Sequence, residues 1–169
     1  LFYITHDDAM RPDKVWRHRV GTPSSEDVVV LEEPDERFFV GVGASRSGEW
    51  IMIDSSSKTS SECWVINAAA PTLPPQSIAP RRDDVEYQVD HWGDVFAITT
   101  NLNAVDFQVM TAPVDQPSAW SALIEHIDGQ RITQFDCFHT FAVMQRWIEG
   151  QQVISVVSPA GLISTIHIL

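Results

Sequence analysis

"FFVGVGASRSGEWIMIDSSSKTSSECWVI", residues 38–66, decides the fold. Three apolar runs, Phe38–Ala44, Trp50–Ile53 and Glu62–Ile66, are parted by the turn signal Ser47-Gly48 and by the polar stretch Ser55–Ser61. Short runs of Trp, Phe, Val and Ile bounded by Gly and Ser mark strands that turn back on one another. No stretch of the chain holds helical spacing beyond two turns, so an all-β protein is expected.

The same pattern returns further along. Trp50-Ile51-Met52-Ile53, Val95-Phe96-Ala97-Ile98 and Phe141-Ala142-Val143-Met144 start 45 and 46 residues apart. The strands after them, Glu62–Ile66, Asp106–Met110 and Gln152–Val156, are offset by 44 and 46. Earlier strands at Val85–Val89 and Arg131–Phe135, and later ones at Gln76–Ala79 and Trp120–Ile124, complete the units. Turn residues at Trp92-Gly93, Asp128-Gly129 and Glu149-Gly150, with proline-rich crossings at 71–75 and 113–117, join them.

Four short strands every 45 residues or so are the mark of a β-propeller blade, a small twisted sheet that buries its faces against its neighbours. An immunoglobulin-like sandwich also has short strands, but not this fixed register. The chain is expected to fold as a partial β-propeller of four-stranded antiparallel blades at about 38–84, 85–130 and 131–169. Residues 1–37 supply three strands, Phe2–Thr5, Lys14–Val20 and Asp27–Glu32, as an incomplete blade lacking its innermost strand. Propellers close with about four to eight blades. An arc with apolar faces at both ends is therefore expected, covered by a partner or by a second copy.

The 169 residues carry 11 Lys and Arg against 23 Asp and Glu, a formal net charge of −12. Such a field repels phosphate backbones, which argues against nucleic acid, and attracts cationic small molecules or basic peptides. Acidity also serves solubility. Apolar runs such as Val28–Leu31 are far shorter than the roughly 20 residues a bilayer span takes, so no membrane segment is expected. Cys63 and Cys137 are too few for a disulfide framework and not spaced as metal ligands, which fits a reducing, cytoplasmic compartment. Leu1 is followed at once by strand residues, so the chain is expected to begin inside a larger protein, and a preceding signal peptide stays open.

Candidates for chemistry are sparse. His6, His18, His91, His126, His139 and His167 show no ligand spacing, so neither a metal nor another cofactor is expected. Cys137 and His139 share a strand face and could form a nucleophile pair, or Cys137 could simply be a small core residue. No G-x-S-x-G elbow occurs, Gly41-Val42-Gly43 lies inside a strand, and the acid pairs Glu32-Glu33 and Asp83-Asp84 end strands as solvated charge. Trp16, Trp50 and Trp64 fall on strands at blade-equivalent positions and read as packing between sheets; Trp92 and Trp147 lie nearer turns. From its residues alone, the chain is a scaffold without a catalytic residue.

"VWRHRVGTPSSEDVVVLEEPDERFFVGV" at 15–42 resembles the propeller of the oligopeptidase B (protease II) group, in the prolyl oligopeptidase family of serine peptidases. "LFYIT" at 1–5, "RPDKVWRH" at 11–18, "SKTSSE" at 57–62, "APRRDDVEYQVDHWGD" at 79–94 and "TNLNAVDFQV" at 100–109 carry the likeness onward; after about residue 125 only the pattern remains. The resemblance implies about three and a half blades of a seven-bladed propeller capping an α/β-hydrolase domain that is absent from this chain. It implies a serine endopeptidase that cleaves short peptides after Lys or Arg, the propeller excluding large substrates, with the Ser-Asp-His triad lying elsewhere and this fragment inactive alone. The family's aromatic near the far substrate subsites would correspond to Phe2, a position that packing in the blade would equally explain. A free-standing interaction module built on the same arc is the alternative.

Overall fold

Neighbours in sequence are neighbours in every sheet. In the computed structural model, which describes residues 1–166, β1 (Phe2–His6), β2 (Pro12–Arg17) and β3 (Val28–Glu32) pair antiparallel in chain order. A second sheet follows from β4 (Phe39–Ala44), β5 (Trp50–Ser56), β6 (Ser61–Asn67) and β7 (Gln76–Ala79). The third holds β8 (Tyr87–Trp92), β9 (Val95–Thr100), β10 (Gln108–Pro113) and β11 (Ser121–Ile124), and the fourth β12 (Gln130–Cys137), β13 (Ala142–Ile148), β14 (Gln151–Val157) and β15 (Ile163–Thr165). These meanders cross no strand over another and leave no room for the Greek-key connections of a sandwich. A partial propeller results.

Apolar side chains collect between the sheets. Val15, Val40, Ile53 and Ile66 fill the first interface, and Val65, Ile78, Tyr87, Phe96 and Ile98 the second. Val109, Ile132, Ala142, Met144 and Val157 fill the third. Phe96 is wholly buried with Trp50 edge-on at 5.0 Å, a contact that joins β9 to β5 and adds about 1 kcal/mol to the burial itself. Tyr87 bridges the same interface by its hydroxyl, which donates to the Ala79 carbonyl at 2.7 Å and accepts the Cys63 N–H at 2.9 Å.

A register shift recurs at one place in three sheets: Val15/Trp16 against β3, Cys63/Trp64 against β7, and Val109/Met110 against β11. Each bulge sharpens the local twist, and a twist repeated at the same strand pair turns sheets into wedges that stack around an axis. The tight turns between first and second strands need left-handed backbone, which Gly48 supplies at φ 74° and Gly93 at φ 65°.

Several strand ends differ from expectation. The strand expected over Lys14–Val20 stops at Arg17: the His18 N–H makes a last bond to the Leu1 carbonyl, and a loop with left-handed Gly21 and a 3-10 turn at Ser24–Glu26 follows. The strand expected from Asp106 begins at Gln108, since Phe107 adopts φ 65° to close a turn onto the Ala104 carbonyl. Polar, short β15 carries too little apolar pattern to be recognised, and only its ladder to β14 reveals it.

Candidate functional site

β4, β8 and β12 stand at the same edge of their sheets, and that edge is where the sheets converge. Arg46 just past β4, Gln88 and Asp90 on β8, and Thr133, Gln134 and Asp136 on β12 line a cavity of about 600 Å³. A second of about 640 Å³ is lined by Asp54, Ser61, Glu86, Phe107, Arg131 and Ile132 among others. Gln88, Val89, Thr99 and Thr133 belong to both, so the two form one groove, polar at the Arg46, Asp90 and Asp136 end and more apolar where Met52, Phe107 and Ile132 line it. Asp54 overlies Gly41, where an added Cβ would meet its Oδ1 at 2.7 Å; the missing side chain makes the room.

Asp90 ties the groove together. Its Oδ1 accepts the Arg46 N–H at 3.0 Å and the His91 N–H at 2.8 Å, and its Oδ2 accepts the Cys137 N–H at 3.3 Å. One carboxylate thus holds backbone from three sheets. The Arg46 guanidinium completes the link, bonding Asp136 Oδ1 at 2.5 Å and lying 4.9 Å from the centre of the Phe138 ring. Asp54 and Glu86, by contrast, have no ion-pair partner among the described residues; burial pushes the Asp54 carboxyl up, as expected of a carboxylate without a cation beside it.

A second network locks the passage from the first sheet to the second. Arg11 donates to the carbonyls of Glu33, Asp35 and Phe38, the last at 2.8 Å. Buried Glu33 pairs with Arg81 and accepts the Ser55 hydroxyl at 2.6 Å, while the Arg81 guanidinium stacks 3.6 Å from the Phe38 ring centre. Burial alone would raise the Glu33 carboxyl, but the hydrogen bonds from Arg81 and Ser55 outweigh it and hold it below the usual range. Glu33, expected as solvated charge, is therefore a paired buried ion, and the difference lies in a partner 48 residues away.

The residues singled out in the sequence do not come together as a catalytic centre. Phe2 lies on β1, half-buried, packed with Ile4 against Val15 and Val40. Cys137 ends β12 inside the third core, where burial, with the Asp90 and Asp136 charges behind it, pushes its thiol well up; His139 is exposed beyond the strand. A thiol held protonated is a poor nucleophile, which favours the core reading of Cys137. Cys63 is likewise buried and raised. Trp16 donates its indole N–H to Thr5 Oγ1 at 2.8 Å and stacks on Tyr3, Trp92 is buried, and Trp147 is half-exposed. His18 bonds Asp27 at 2.7 Å and His91 bonds Ser47 at 2.8 Å, while His167 lies outside the described residues. Sequence reasoning missed Arg46, Asp90 and Asp136. Asp90 and Asp136 recur 46 residues apart at equivalent positions, opposite Ala97 and Val143, and that recurrence was the available signal; Arg46, in the turn past β4, stands outside it.

Comparison with known proteins agrees with this architecture. The sequence profile of the prolyl oligopeptidase N-terminal β-propeller domain matches residues 1–167. Protease 2 of Moraxella lacunata is 38% identical over 126 residues, 75% of this chain and 18% of that protein. Dipeptidyl aminopeptidase BI of Pseudoxanthomonas mexicana is 36% identical over 165 residues, 95% of this chain and 23% of the relative. The solved oligopeptidase B from Trypanosoma brucei, in its closed form with covalently bound antipain, superposes with a TM-score of 0.89 at 32% identity, over 99% of this chain and 25% of that one. The chain therefore spans about a fifth to a quarter of the length of these proteins. With that profile running along nearly the whole chain and four successive sheets wedged about one groove, the chain belongs to the prolyl oligopeptidase family and forms part of its N-terminal β-propeller domain.

Proposed function

We propose that this chain is the substrate-sorting wall of an oligopeptidase B-like serine endopeptidase, which cleaves short peptides after Lys or Arg. The propeller caps a separate α/β-hydrolase domain carrying the Ser-Asp-His triad, and its axial groove admits extended peptides while excluding folded proteins. The observation that carries this reading is the superposition on a closed, antipain-bound oligopeptidase B over 99% of the chain. The unpaired carboxylates of Asp54 and Glu86 in the groove, within a chain of net charge −12, support a preference for cationic peptides, because field lines concentrate in clefts. Two free, buried cysteines support a reducing, cytoplasmic setting. Exposed Val28, Val29 and Trp147 on the end sheets support contact with further blades of the same ring or with a second copy.

The test is amidase activity of the full-length protein on Arg-, Lys- and Ala-linked peptide reporters, with and without a serine-directed reagent, beside this chain alone. Reagent-sensitive cleavage of the Arg and Lys reporters by the full-length protein only is expected. Cleavage by the chain alone, abolished by Cys137→Ala, would overturn the proposal, as would a parent without peptidase activity, which would leave the interaction module. A second reading has its own support: likeness to dipeptidyl aminopeptidase BI extends over more of the chain than likeness to Protease 2. Release of N-terminal dipeptides, without internal cleavage of a blocked peptide, would favour it.

A further inference from the structure

Asp106, His126 and Asp128 bring one imidazole nitrogen and two carboxylate oxygens within 4.8 Å of one another. They arrive from two connections, Asp106 from that between β9 and β10, His126 and Asp128 from that between β11 and β12. The geometry is held by backbone. Asp106 Oδ2 accepts the Gly129 N–H at 2.7 Å, and its carbonyl accepts the Ile132 N–H at 2.9 Å, which fixes the Asp128-Gly129 turn over the Asp106 side chain.

Nε2 of His126 is shut off from solvent and has no hydrogen-bond partner. Its nearest anion, Asp128 Oδ1, stands 3.6 Å away, too far for a hydrogen bond. A buried polar atom without a partner asks for a water or an ion. Two ligands at about 2.1 Å from a tetrahedral zinc lie about 3.4 Å apart; His126 and Asp128 stand near that spacing at 3.6 Å, and Asp106, within 4.8 Å of both, has to move inward to join them. Two carboxylates offset the charge of a divalent cation, and the imidazole selects the zinc class over calcium and magnesium, which take oxygen.

We propose that Asp106, His126 and Asp128 form a binding site for a divalent transition metal of the zinc class, with water completing the shell, which fastens the crossing from the third sheet to the fourth. The site does not depend on the peptidase reading. The test uses metal-free full-length protein titrated with Zn²⁺ by calorimetry and with Co²⁺ by visible absorption, as wild type, His126→Ala, Asp128→Asn and the control His139→Ala. One equivalent bound in the micromolar range is expected, lost in His126→Ala, weakened at least about tenfold in Asp128→Asn, and unchanged in His139→Ala. Because the Asp128 side chain is 95% exposed, its variant reports on binding without disturbing the fold. Absence of that equivalent in the wild type, or its retention with unchanged affinity in His126→Ala or Asp128→Asn, overturns the site.

Discussion

Asp90→Ala removes a carboxylate that holds three backbone amides, and its effect can be built up bond by bond. A hydrogen bond to a charged acceptor contributes about 1.5–3 kcal/mol when shielded and much less when wet. The Arg46 N–H is exposed and can turn to water, so its loss costs about 0.5 kcal/mol. The His91 N–H lies within one residue of the acceptor and adds about as little to holding sheets together. The Cys137 N–H is part-buried, and stranding it costs about 1–2 kcal/mol although its bond is long at 3.3 Å. The total is about 2–3 kcal/mol, placed at the axis rather than spread through the fold. Native-state hydrogen exchange of the full-length protein, read by mass spectrometry on peptides spanning Arg46 and Cys137, measures it. A loss of 2 kcal/mol corresponds to about thirtyfold faster opening, and Asp90→Asn, which keeps one acceptor oxygen, should give about fivefold. Peptides from the β14–β15 edge should not change. Exchange at Cys137 altered less than threefold by Asp90→Ala, or acceleration in all peptides alike, would refute the three-sheet tie.

Arg81→Met strands a Glu33 that is only 5% exposed, and should cost about 3 kcal/mol by denaturant unfolding, more than the double variant Arg81→Met with Glu33→Gln. Because Glu33 is held below the usual carboxylate range when folded, its contribution is present above that range and fades as the pH falls through its lowered value; the stability gap between wild type and Glu33→Gln should shrink in acid, and a gap that widens would reverse the sign. Cys63 and Cys137, both raised by burial, should escape a thiol reagent at mildly alkaline pH in the native protein and react in denaturant; rapid labelling of Cys137, seen by peptide mass, would revive it as a nucleophile. The substrate contact proposed for Phe2 requires that Phe2→Leu, which keeps most of the packing with Ile4 and Val15, raise KM for an extended peptide about threefold at unchanged stability; an unchanged KM assigns Phe2 to the core.

The repeat made the architecture legible before any coordinate. Strand starts 44 to 46 residues apart leave few folds, and the unbroken apolar runs Trp50–Ile53, Val95–Ile98 and Phe141–Met144 mark strands covered on both faces. Strand ends escaped where one residue's backbone conformation overrode its side chain. Phe107 has strong strand preference, yet its left-handed φ starts β10 two residues later than expected, and Arg131, 4.7 Å from its ring centre, covers the turn. Polar partnerships escaped for a different reason: Glu33 meets Arg81 and Asp90 meets Cys137 across about one repeat, and nothing local in either stretch signals a charge that will be buried.

Yet the repeat itself contains that information in another form. Residues one period apart stand at the same level of adjacent sheets, and on axis-side strands the same level also means close approach, since the wedges narrow there. Asp90 and Asp136, at equivalent positions of β8 and β12, therefore stand near one another, and Arg46, in the turn beyond β4, reaches both, its N–H on Asp90 and its guanidinium on Asp136. The Asp106, His126 and Asp128 group follows no such rule, because its members share one connection and the loop beside it. Such sites in loops must be found from coordinates, while axial ties in a propeller can be sought by aligning the chain with itself and looking for charge in columns at the ends of first strands.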